Sequence, residues 1–222
     1  MSERAARVLI TAGPTHEPVD AVRYLANRSS GAMGVALAEA AVRRDADVTL
    51  LLGPCAAVVP AGCRAVSFES TADLERLLDE HFQGCDVLIM AAAVADYRPV
   101  RTNPGKLPRR PERLVVELEP TPDLLARCAA ARRPGQFIVG FALEPEEALE
   151  QKAREKLVRK GVDAIVANPL ETMGASTIRA RVVTAGGEVA VGDVPRRTKA
   201  EFAAELMDWV MNAWRAARSR RG

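Results

Sequence analysis

The chain has 222 residues, of which 48% are hydrophobic and 27% are charged, as in ordinary globular proteins. Its 31 Lys and Arg residues nearly balance 29 Asp and Glu residues, and a net charge of +2 excludes a nucleic-acid binder that acts through overall charge. No run of 18 apolar residues occurs, so no membrane-spanning helix is expected. The residues before Val8 are polar and unlike a signal peptide, which predicts a cytoplasmic protein.

Cysteine and histidine are scarce. The spacing of Cys55, Cys63, Cys85 and Cys128 matches no zinc motif and no CxxC motif, so we expect four free thiols. Only two histidines are present, which disfavours both a His-rich metal site and a Ser-His-Asp triad.

Apolar runs alternate with helical patterns along the whole chain, without internal repeats or linkers. Strands are predicted over 8–12, 47–53, 64–68, 86–94, 113–118, 136–142 and 163–167, and helices over 31–44, 70–82, 122–133, 145–160 and 199–217. Residues 179–191 are typical of a hairpin with a Gly-Gly turn, and 218–222 of a frayed tail. This alternation predicts a single α/β domain, a Rossmann-like, doubly wound parallel sheet with helices on both faces.

Two predicted helices carry terminal signals. Ser70 and Thr71 can cap the second helix. Pro145 suits the first position of the fourth helix, and Gly161 suits the position just after its end.

Ligands in such sheets bind beyond the carboxyl ends of the strands. The first strand ends at Gly13, and the next helix opens with Ser29-Ser30-Gly31-Ala32-Met33-Gly34. Small residues there would let backbone N–H groups approach a phosphate. The pattern is not GxGxxG, and a Gly-rich turn that permits close helix–strand packing is the alternative reason for these glycines.

Three further positions could contact a ligand. Arg23 could pair with an anion, and Asn27 could donate an N–H to a carboxylate or a developing oxyanion; a solvated Arg and a helix cap are the alternatives. After the fourth apolar run, Asp96 could accept from ribose hydroxyls or hold hydrated Mg²⁺; a helix cap or an ion pair that orders the loop is the alternative.

A polar loop over 101–110 contains Lys106, Arg109 and Arg110, flanked by Pro and Gly. Three cations in five residues suggest a clamp on polyphosphate, because neutralising charge on the phosphate under attack is the main catalytic need in nucleotidyl transfer. A solvated basic loop is the alternative.

Several segments together resemble the phosphopantothenoylcysteine synthetase family. They are Val8–Thr15 (VLITAGPT), Glu17–Gly34 (EPVDAVRYLANRSSGAMG), Ala91–Pro99 (AAAVADYRP), Gly140–Glu144 (GFALE) and Glu155–Asn168 (EKLVRKGVDAIVAN). They follow the order of the family over about 160 residues, and the stretch from Arg23 to Gly34 is the most specific.

The resemblance implies a ligase. The carboxylate of 4′-phosphopantothenate would attack the α-phosphate of CTP, pyrophosphate would leave, and the amino group of L-cysteine would attack the acyl-cytidylate to give the amide and CMP. The resemblance also implies Mg²⁺ as cofactor.

Carried over by motif, Asn27 would contact the substrate carboxylate and then the acyl-cytidylate. Arg23 would bind the phosphate of phosphopantothenate, from the same subunit or across a dimer. Gly13, Ser30 and Gly31 would belong to the phosphate cradle.

The same resemblance places the nucleotide. Ala92 and Ala93 would meet the base through backbone groups, and Phe141 would pack on it. Asp96 would face the ribose or the metal, and Lys106 would hold the triphosphate.

The resemblance further implies a homodimer, and we assign the contact to exposed strands within 113–119 and 179–192. In many bacteria the synthetase is fused to a flavin-dependent decarboxylase. That half has no counterpart here, so we expect no flavin, and a separate decarboxylase is a possible partner.

The family's Lys-x-Lys-Lys loop is replaced here by Lys106-Leu107-Pro108-Arg109-Arg110, which leaves the choice between CTP and ATP open.

Two other functions stay open. An NAD(P)-dependent oxidoreductase should have an acidic residue after the second strand and a Tyr-x-x-x-Lys pair; Leu52-Gly53-Pro54-Cys55 stands at the first place, and Arg28 follows Tyr24 at the second spacing. A nucleotide-binding protein without chemistry should lack Asn27 or Lys106, and both are present.

Overall fold

The computed structural model describes residues 4–109, 111–189 and 197–219. In chain order the strands are β1 (Arg7–Ala12), β2 (His16–Pro18), β3 (Tyr24–Ala26), β4 (Asp47–Leu52), β5 (Arg64–Ser67), β6 (Val87–Met90), β7 (Tyr97–Pro99), β8 (Leu118–Pro120), β9 (Phe137–Glu144), β10 (Ala164–Pro169), β11 (Thr177–Ile178), β12 (Arg181–Thr184), β13 (Gly187–Val189) and β14 (Arg197–Thr198). The α-helices are α1 (Ala32–Val42), α2 (Thr71–His81), α3 (Leu124–Ala130), α4 (Leu149–Lys160) and α5 (Lys199–Ser219).

Eight strands form the main sheet in the order β13-β12-β10-β9-β6-β1-β4-β5. The six strands from β10 to β5 are parallel, and β12 and β13 are added in antiparallel orientation. The chain runs from β1 outward to β4 and β5, and then returns to β6 on the other side of β1. The predicted Rossmann-like α/β fold is therefore confirmed, with its reversal of strand order between β1 and β6.

Each face of the sheet has its own apolar core. Helices α1 and α5 cover one face, where Leu37 and Phe202 are fully buried. Helices α2, α3 and α4 cover the other face around Leu74 and Ile138. The central strands β1 and β6 contribute to both cores, which explains their uninterrupted apolar sequences.

Helix α1 packs directly on β1. A Cβ atom added at Gly34 would lie 2.4 Å from the Ala12 Cβ and 3.1 Å from the Ala12 Cα. Gly34 therefore permits the close helix–strand packing that was one predicted reason for the small residues. The beginning of α1 is held against the end of β1.

The predicted helix ends are partly confirmed. Ser70 forms a capping box with Asp73 at the start of α2, and Gly161 ends α4 with a φ of 65°. Pro145, in contrast, is not the first residue of α4. It has extended geometry and precedes a 3-10 turn over Glu146–Ala148, and α4 begins only at Leu149.

Other expectations are corrected. The strand predicted over 113–118 is absent from 113–117, because its partner β7 is only three residues long and pairs with residues 118–120 alone. The hairpin predicted over 179–191 is present as β12 and β13, but β12 continues the main sheet beside β10; residues 190–192 lie outside the described residues. Arg218 and Ser219 belong to α5 rather than to a frayed tail, and residues 220–222 are not described.

Three small antiparallel pairs were not predicted: β2–β3, β7–β8 and β11–β14. All four cysteines are free, as predicted, with Cys85 and Cys128 buried. No helix within the described residues is long and apolar enough to cross a membrane.

Candidate functional site

A cleft of about 880 Å³ opens at the carboxyl ends of β6, β9 and β10. The start of α1 borders it on one side, and α3 and α4 border it on the other. Of the residues proposed from the sequence, seven line this cleft: Asn27, Ser30, Gly31, Ala92, Ala93, Asp96 and Phe141. The cleft therefore lies beyond the carboxyl ends of parallel strands, where such sheets bind ligands.

The turn before α1 consists of small residues that leave backbone groups near the cleft. Gly31 has a φ of 70°, and a Cβ atom there would lie 2.6 Å from the Cys55 Sγ. The Gly31 N–H donates to the Ser29 Oγ at 3.3 Å, and the Ala32 N–H donates to the Ser30 Oγ at 3.5 Å. The turn thus needs glycine for both its conformation and its space, and its donors lie at the positive end of α1.

Asn27 is held against the opposite wall of the cleft. Its Nδ2 donates to the Val94 carbonyl at 2.9 Å, across the gap between the loop after β3 and the loop after β6. One amide hydrogen is used in this contact, and the second N–H and the carbonyl oxygen remain as possible partners for a ligand.

The loop that carries Asp96 is fixed by the residues next to it. The Ala95 N–H donates to the Thr15 Oγ1 at 3.0 Å, and the Thr121 Oγ1 donates to the Ala95 carbonyl at 2.5 Å. The Thr121 N–H donates to the Asp96 carbonyl at 3.0 Å. The Asp96 side chain therefore projects from a backbone that is held on both sides.

Thr15 belongs to a buried chain of hydrogen bonds that sequence reasoning missed. Thr71 Oγ1 lies 3.2 Å from the Thr15 Oγ1 and 2.7 Å from the Glu17 Oε1, and the Thr71 N–H also donates to that carboxylate at 2.9 Å. Because the carboxylate can only accept, the hydroxyl protons point from Thr15 through Thr71 to Glu17. This series of hydrogen bonds links the start of α2 to the wall of the cleft.

Ala92 and Ala93 line the cleft, but their N–H groups are already used. The Ala92 N–H donates to the Thr11 Oγ1 at 3.1 Å, and the Ala93 N–H donates to the Gly13 carbonyl at 2.9 Å. Gly13 does not line the cleft. It lies behind the turn, with its nitrogen 3.5 Å from the position that a Cβ atom of Gly31 would take.

Lysines that were not singled out from the sequence also line the cleft. Lys156 donates from its Nζ to the Phe141 carbonyl at 2.9 Å, and burial, followed by the neighbouring charge of Lys160, lowers its pKa. Lys160 pairs with Asp123, the N-cap of α3. The two lysines lie four residues apart on α4, and that spacing within the matched segment 155–168 was the available signal.

Arg23 and Lys106 do not line the cleft. The Arg23 Nη2 lies 2.9 Å from the Asp20 Oδ2 and donates to the Leu107 carbonyl at 2.6 Å, while the Leu107 N–H donates to the same Asp20 oxygen at 3.1 Å. The polar loop is therefore docked beside Arg23 in this structure. Arg110 lies outside the described residues.

Within the described residues no group of three His, Cys, Asp or Glu side chains could hold a metal ion. Asp96 lines the cleft, whereas Asp123 is engaged by Lys160. A single free carboxylate fits Mg²⁺ that arrives with a nucleotide, because Mg²⁺ commonly binds one or two carboxylates together with phosphate oxygens.

Comparisons with known proteins agree with this fold. A family model described as the DNA/pantothenate metabolism flavoprotein C-terminal domain matches residues 4–213. The chain is 39% identical over 207 residues to a cysteine/cysteine sulfinic acid decarboxylase from an unknown prokaryotic organism. The aligned residues cover 90% of this chain and 56% of that protein. It is 43% identical over 170 residues to the coenzyme A biosynthesis bifunctional protein CoaBC of Vibrio cholerae, which covers 76% of this chain and 42% of that protein.

Among solved structures, the C-terminal domain of a coenzyme A biosynthesis bifunctional protein CoaBC is 37% identical, with a TM-score of 0.81 over 96% of this chain and 97% of that chain. The chain spans about half the length of the curated relatives described above. The family model, in contrast, matches residues 4–213, which are nearly the whole chain. The chain therefore belongs to the family of DNA/pantothenate metabolism flavoprotein C-terminal domains.

Proposed function

We propose that this chain is a ligase that joins 4′-phosphopantothenate to L-cysteine and converts CTP to CMP and pyrophosphate. The observation that carries the proposal is the cleft itself, which is lined by Asn27, the small-residue turn before α1, Asp96 and several lysines. Donors and cations around one large opening suit an anionic nucleotide together with a carboxylate substrate. The CoaBC relatives support a role in coenzyme A biosynthesis.

In the first step, a carboxylate oxygen of 4′-phosphopantothenate attacks the α-phosphorus of CTP, and the bond to pyrophosphate breaks. Asn27 donates an N–H to the acyl oxygen and keeps it in line, while Ser30 and Gly31 meet the phosphates at the positive end of α1. Bound Mg²⁺ would neutralise phosphate charge beside Asp96.

In the second step, the amino nitrogen of L-cysteine attacks the acyl carbon, the bond to CMP breaks, and the nitrogen loses a proton. Phe141 packs against the base and Ala92 and Ala93 shape the surface beneath it, while Asp96 accepts from the ribose. These roles keep the acyl-cytidylate in place between the two steps and away from water.

Neither Arg23 nor Lys106 lines the cleft of its own subunit. Each therefore needs either a movement of its loop or a second subunit to reach a substrate. Lys106 would reach the triphosphate when the polar loop leaves Asp20. Arg23 would bind the phosphate of phosphopantothenate in the cleft of a second subunit, since exposed Val22, Tyr24 and Leu25 stand beside it.

We expect a homodimer through these residues and the adjacent pair β7–β8, which exposes Tyr97 and Leu118. We call the surface formed by these five apolar residues the apolar patch. Exposed apolar residues on neighbouring elements favour a protein interface. This assignment keeps residues 118 and 119 of the contact proposed at 113–119, and it replaces 179–192 by the β2–β3 pair.

Decarboxylation is the activity named for one relative, but this chain spans 56% of that protein. CoaBC is described as bifunctional, and this chain matches its C-terminal domain over nearly the full length. We therefore assign the ligase step to this chain without flavin, and a separate decarboxylase would consume the product. A nucleotide-binding protein without catalysis is the remaining alternative.

Pyrophosphate release tests the proposal. Purified protein is assayed with Mg²⁺ and 4′-phosphopantothenate, with CTP or ATP, and with or without L-cysteine. We expect sustained release with CTP that requires L-cysteine, and losses of at least a hundredfold in Asn27→Ala and Lys106→Ala. Lys152→Ala, an exposed residue of α4 outside the cleft, is the matched control.

Binding of CTP without pyrophosphate release would favour the non-catalytic alternative. Loss of CO2 from added phosphopantothenoylcysteine, in the absence of flavin, would assign the chain to the other reaction. Either result would overturn the ligase assignment.

A further inference from the structure

We propose that Asn168 and Lys199 form a subsite that binds the amino acid acceptor of the reaction, with Lys199 on its carboxylate and Asn168 on its amino group. The inference rests on the proposed function, and it assigns the reactant for which the sequence offered no residue. Both side chains line the cleft.

Lys199 is a cation with no countercharge among the residues that the structure describes. It is half-buried at the start of α5, and burial alone lowers its pKa. Among the described residues it makes no ion pair and no hydrogen bond, whereas Lys156 and Lys160 each have a protein partner. A half-buried, unpaired ammonium in the wall of a cleft fits an anionic group of a ligand.

Asn168 is an amide with an unused acceptor. The residue is 8% exposed, and its Oδ1 is shielded from solvent with no hydrogen-bond partner in the described parts of the chain. Most buried polar atoms in folded proteins have such a partner, so an orphaned oxygen in a ligand cleft fits a donor that the ligand supplies. This observation is independent of Lys199.

The strand pairings bring the two residues to the same end of the cleft. Asn168 lies near the end of β10, whose neighbour β12 follows directly on β11. Ile178 of β11 also lines the cleft, and β11 pairs with β14, after which Lys199 begins α5. In the other direction, Asn168 is in register with Leu143 of β9.

That end of the cleft is within reach of the acyl group. Two strand spacings, about 10 Å in all, separate β10 from β6, whose following loop holds Asn27 at Val94. A lysine side chain and a small amino acid together can span such a distance. The nitrogen that accepts the acyl group would thus approach from the β10 side.

An α-amino acid matches both unused groups at once. Its carboxylate accepts from the ammonium of Lys199, and its amino group donates to the Asn168 Oδ1. A nucleotide phosphate would satisfy Lys199 but offers no donor to the oxygen of Asn168. The pair therefore favours the amino acid over the triphosphate.

The test separates the two half-reactions. Exchange of labelled pyrophosphate into CTP, with 4′-phosphopantothenate and no cysteine, reports the first step alone. We expect Lys199→Met and Asn168→Leu to keep this exchange within twofold of the unmodified chain and to raise the KM for L-cysteine at least tenfold. Lys152→Met is the control for loss of a lysine.

Cysteamine, which has the amine and the thiol of cysteine but no carboxylate, distinguishes the two contacts. Lys199→Met should lower kcat/KM for L-cysteine and leave that for cysteamine within twofold, whereas Asn168→Leu should lower both. An unchanged KM for L-cysteine, or slower exchange and a higher KM for CTP in Lys199→Met, would overturn the assignment.

A binding measurement does not depend on turnover. L-cysteine is titrated calorimetrically into protein that holds 4′-phosphopantothenate and a CTP analogue with a methylene group between the α and β phosphorus atoms. We expect binding that weakens at least tenfold in Lys199→Met, and absent or equal binding would refute the subsite. Absence of pyrophosphate exchange in the unmodified chain would instead refute the proposed function.

Discussion

Asp86 stabilises the amino ends of the central strands, at the side of the sheet opposite the cleft. Only 4% exposed, it accepts hydrogen bonds from the side chains of Arg4, Arg7 and Arg133 and from the Arg7 N–H. Burial raises the pKa of this carboxyl, but hydrogen bonds from Arg7, Arg4 and Arg133 outweigh it and hold the pKa well below its usual range. The charged form is therefore part of the folded structure.

Asp86→Asn should lower the free energy of unfolding by about 2 kcal/mol at pH 7, because charge-assisted hydrogen bonds to a buried carboxylate are lost. Urea unfolding measures this change. Asp79→Asn, on a more exposed carboxylate that pairs with Arg127, should change stability by less than about 1 kcal/mol. Equal effects at both positions would contradict the special position of Asp86.

The same carboxyl predicts a pH dependence. Because its pKa is depressed in the folded state, its contribution is complete above its unfolded pKa of about 3.9 and is lost as the pH falls towards the folded pKa. The free energy of unfolding should therefore fall below about pH 4, and it should fall less steeply in Asp86→Asn. Parallel curves for the two proteins would show that other groups cause the acid sensitivity.

Substitution of Thr15 tests the series of buried hydrogen bonds behind the cleft. Thr15→Val removes the acceptor of the Ala95 N–H and the donor to Thr71, which should shift the loop of Asp96. We expect the KM for CTP to rise about tenfold, in line with one unsatisfied buried group, while kcat changes less. Thr15→Ser keeps the hydroxyl and should restore the KM. Equal KM values in Thr15→Val and Thr15→Ser would show that the buried hydrogen bonds of Thr15 do not position the loop of Asp96.

At the scale of elements, the contact between α1 and β1 places the small-residue turn. Gly34→Ala would put a methyl group 2.4 Å from the Ala12 Cβ, so the helix must move away from the strand. We expect a loss of about 2 kcal/mol in the free energy of unfolding, measured in urea. Gly84→Ala, where nothing lies within 4 Å of the added carbon, is the control and should stay within about 0.5 kcal/mol.

Long elements could be predicted from the sequence because apolar periodicity and terminal residues act locally. The six parallel strands and the five α-helices of the described residues were all predicted, within a few residues at their ends. Since parallel strands end at one edge, the position of the cleft also followed, along with seven of the residues that line it.

Other features depend on contacts that a single sequence does not display. Pairs such as β7–β8 are too short for periodicity, and the pattern at 113–118 therefore suggested a longer strand than its partner can pair with. The docking of Leu107 on Asp20 is a tertiary contact across the chain, and it leaves Lys106 outside the cleft. The half-buried environment of Lys199 likewise arises from the fold.

The apolar patch predicts that two copies of the protein associate. Light scattering after size exclusion should give twice the mass of the chain at micromolar concentration, and Leu118→Lys should shift the protein towards monomer. Val58→Lys, at an exposed valine outside the patch, should leave the dimer intact. A monomeric unmodified chain would contradict the proposed interface.

Dimerisation also makes a prediction about the active site. If Arg23 acts in the cleft of the other subunit, mixed dimers of Arg23→Ala and Asn27→Ala chains should retain one intact site each. Activity restored on mixing two inactive variants would support this arrangement, and mixtures as inactive as either variant would contradict it.

The most direct test of the ligase assignment is to identify the species formed from 4′-phosphopantothenate and CTP before cysteine is added. We expect mass spectrometry of the quenched mixture to show the acyl-cytidylate, and a chase with L-cysteine to convert it to the amide and CMP in equal amounts. Intact CTP beside unchanged 4′-phosphopantothenate, in a folded protein that binds both, would contradict the assignment of this cleft to ligation.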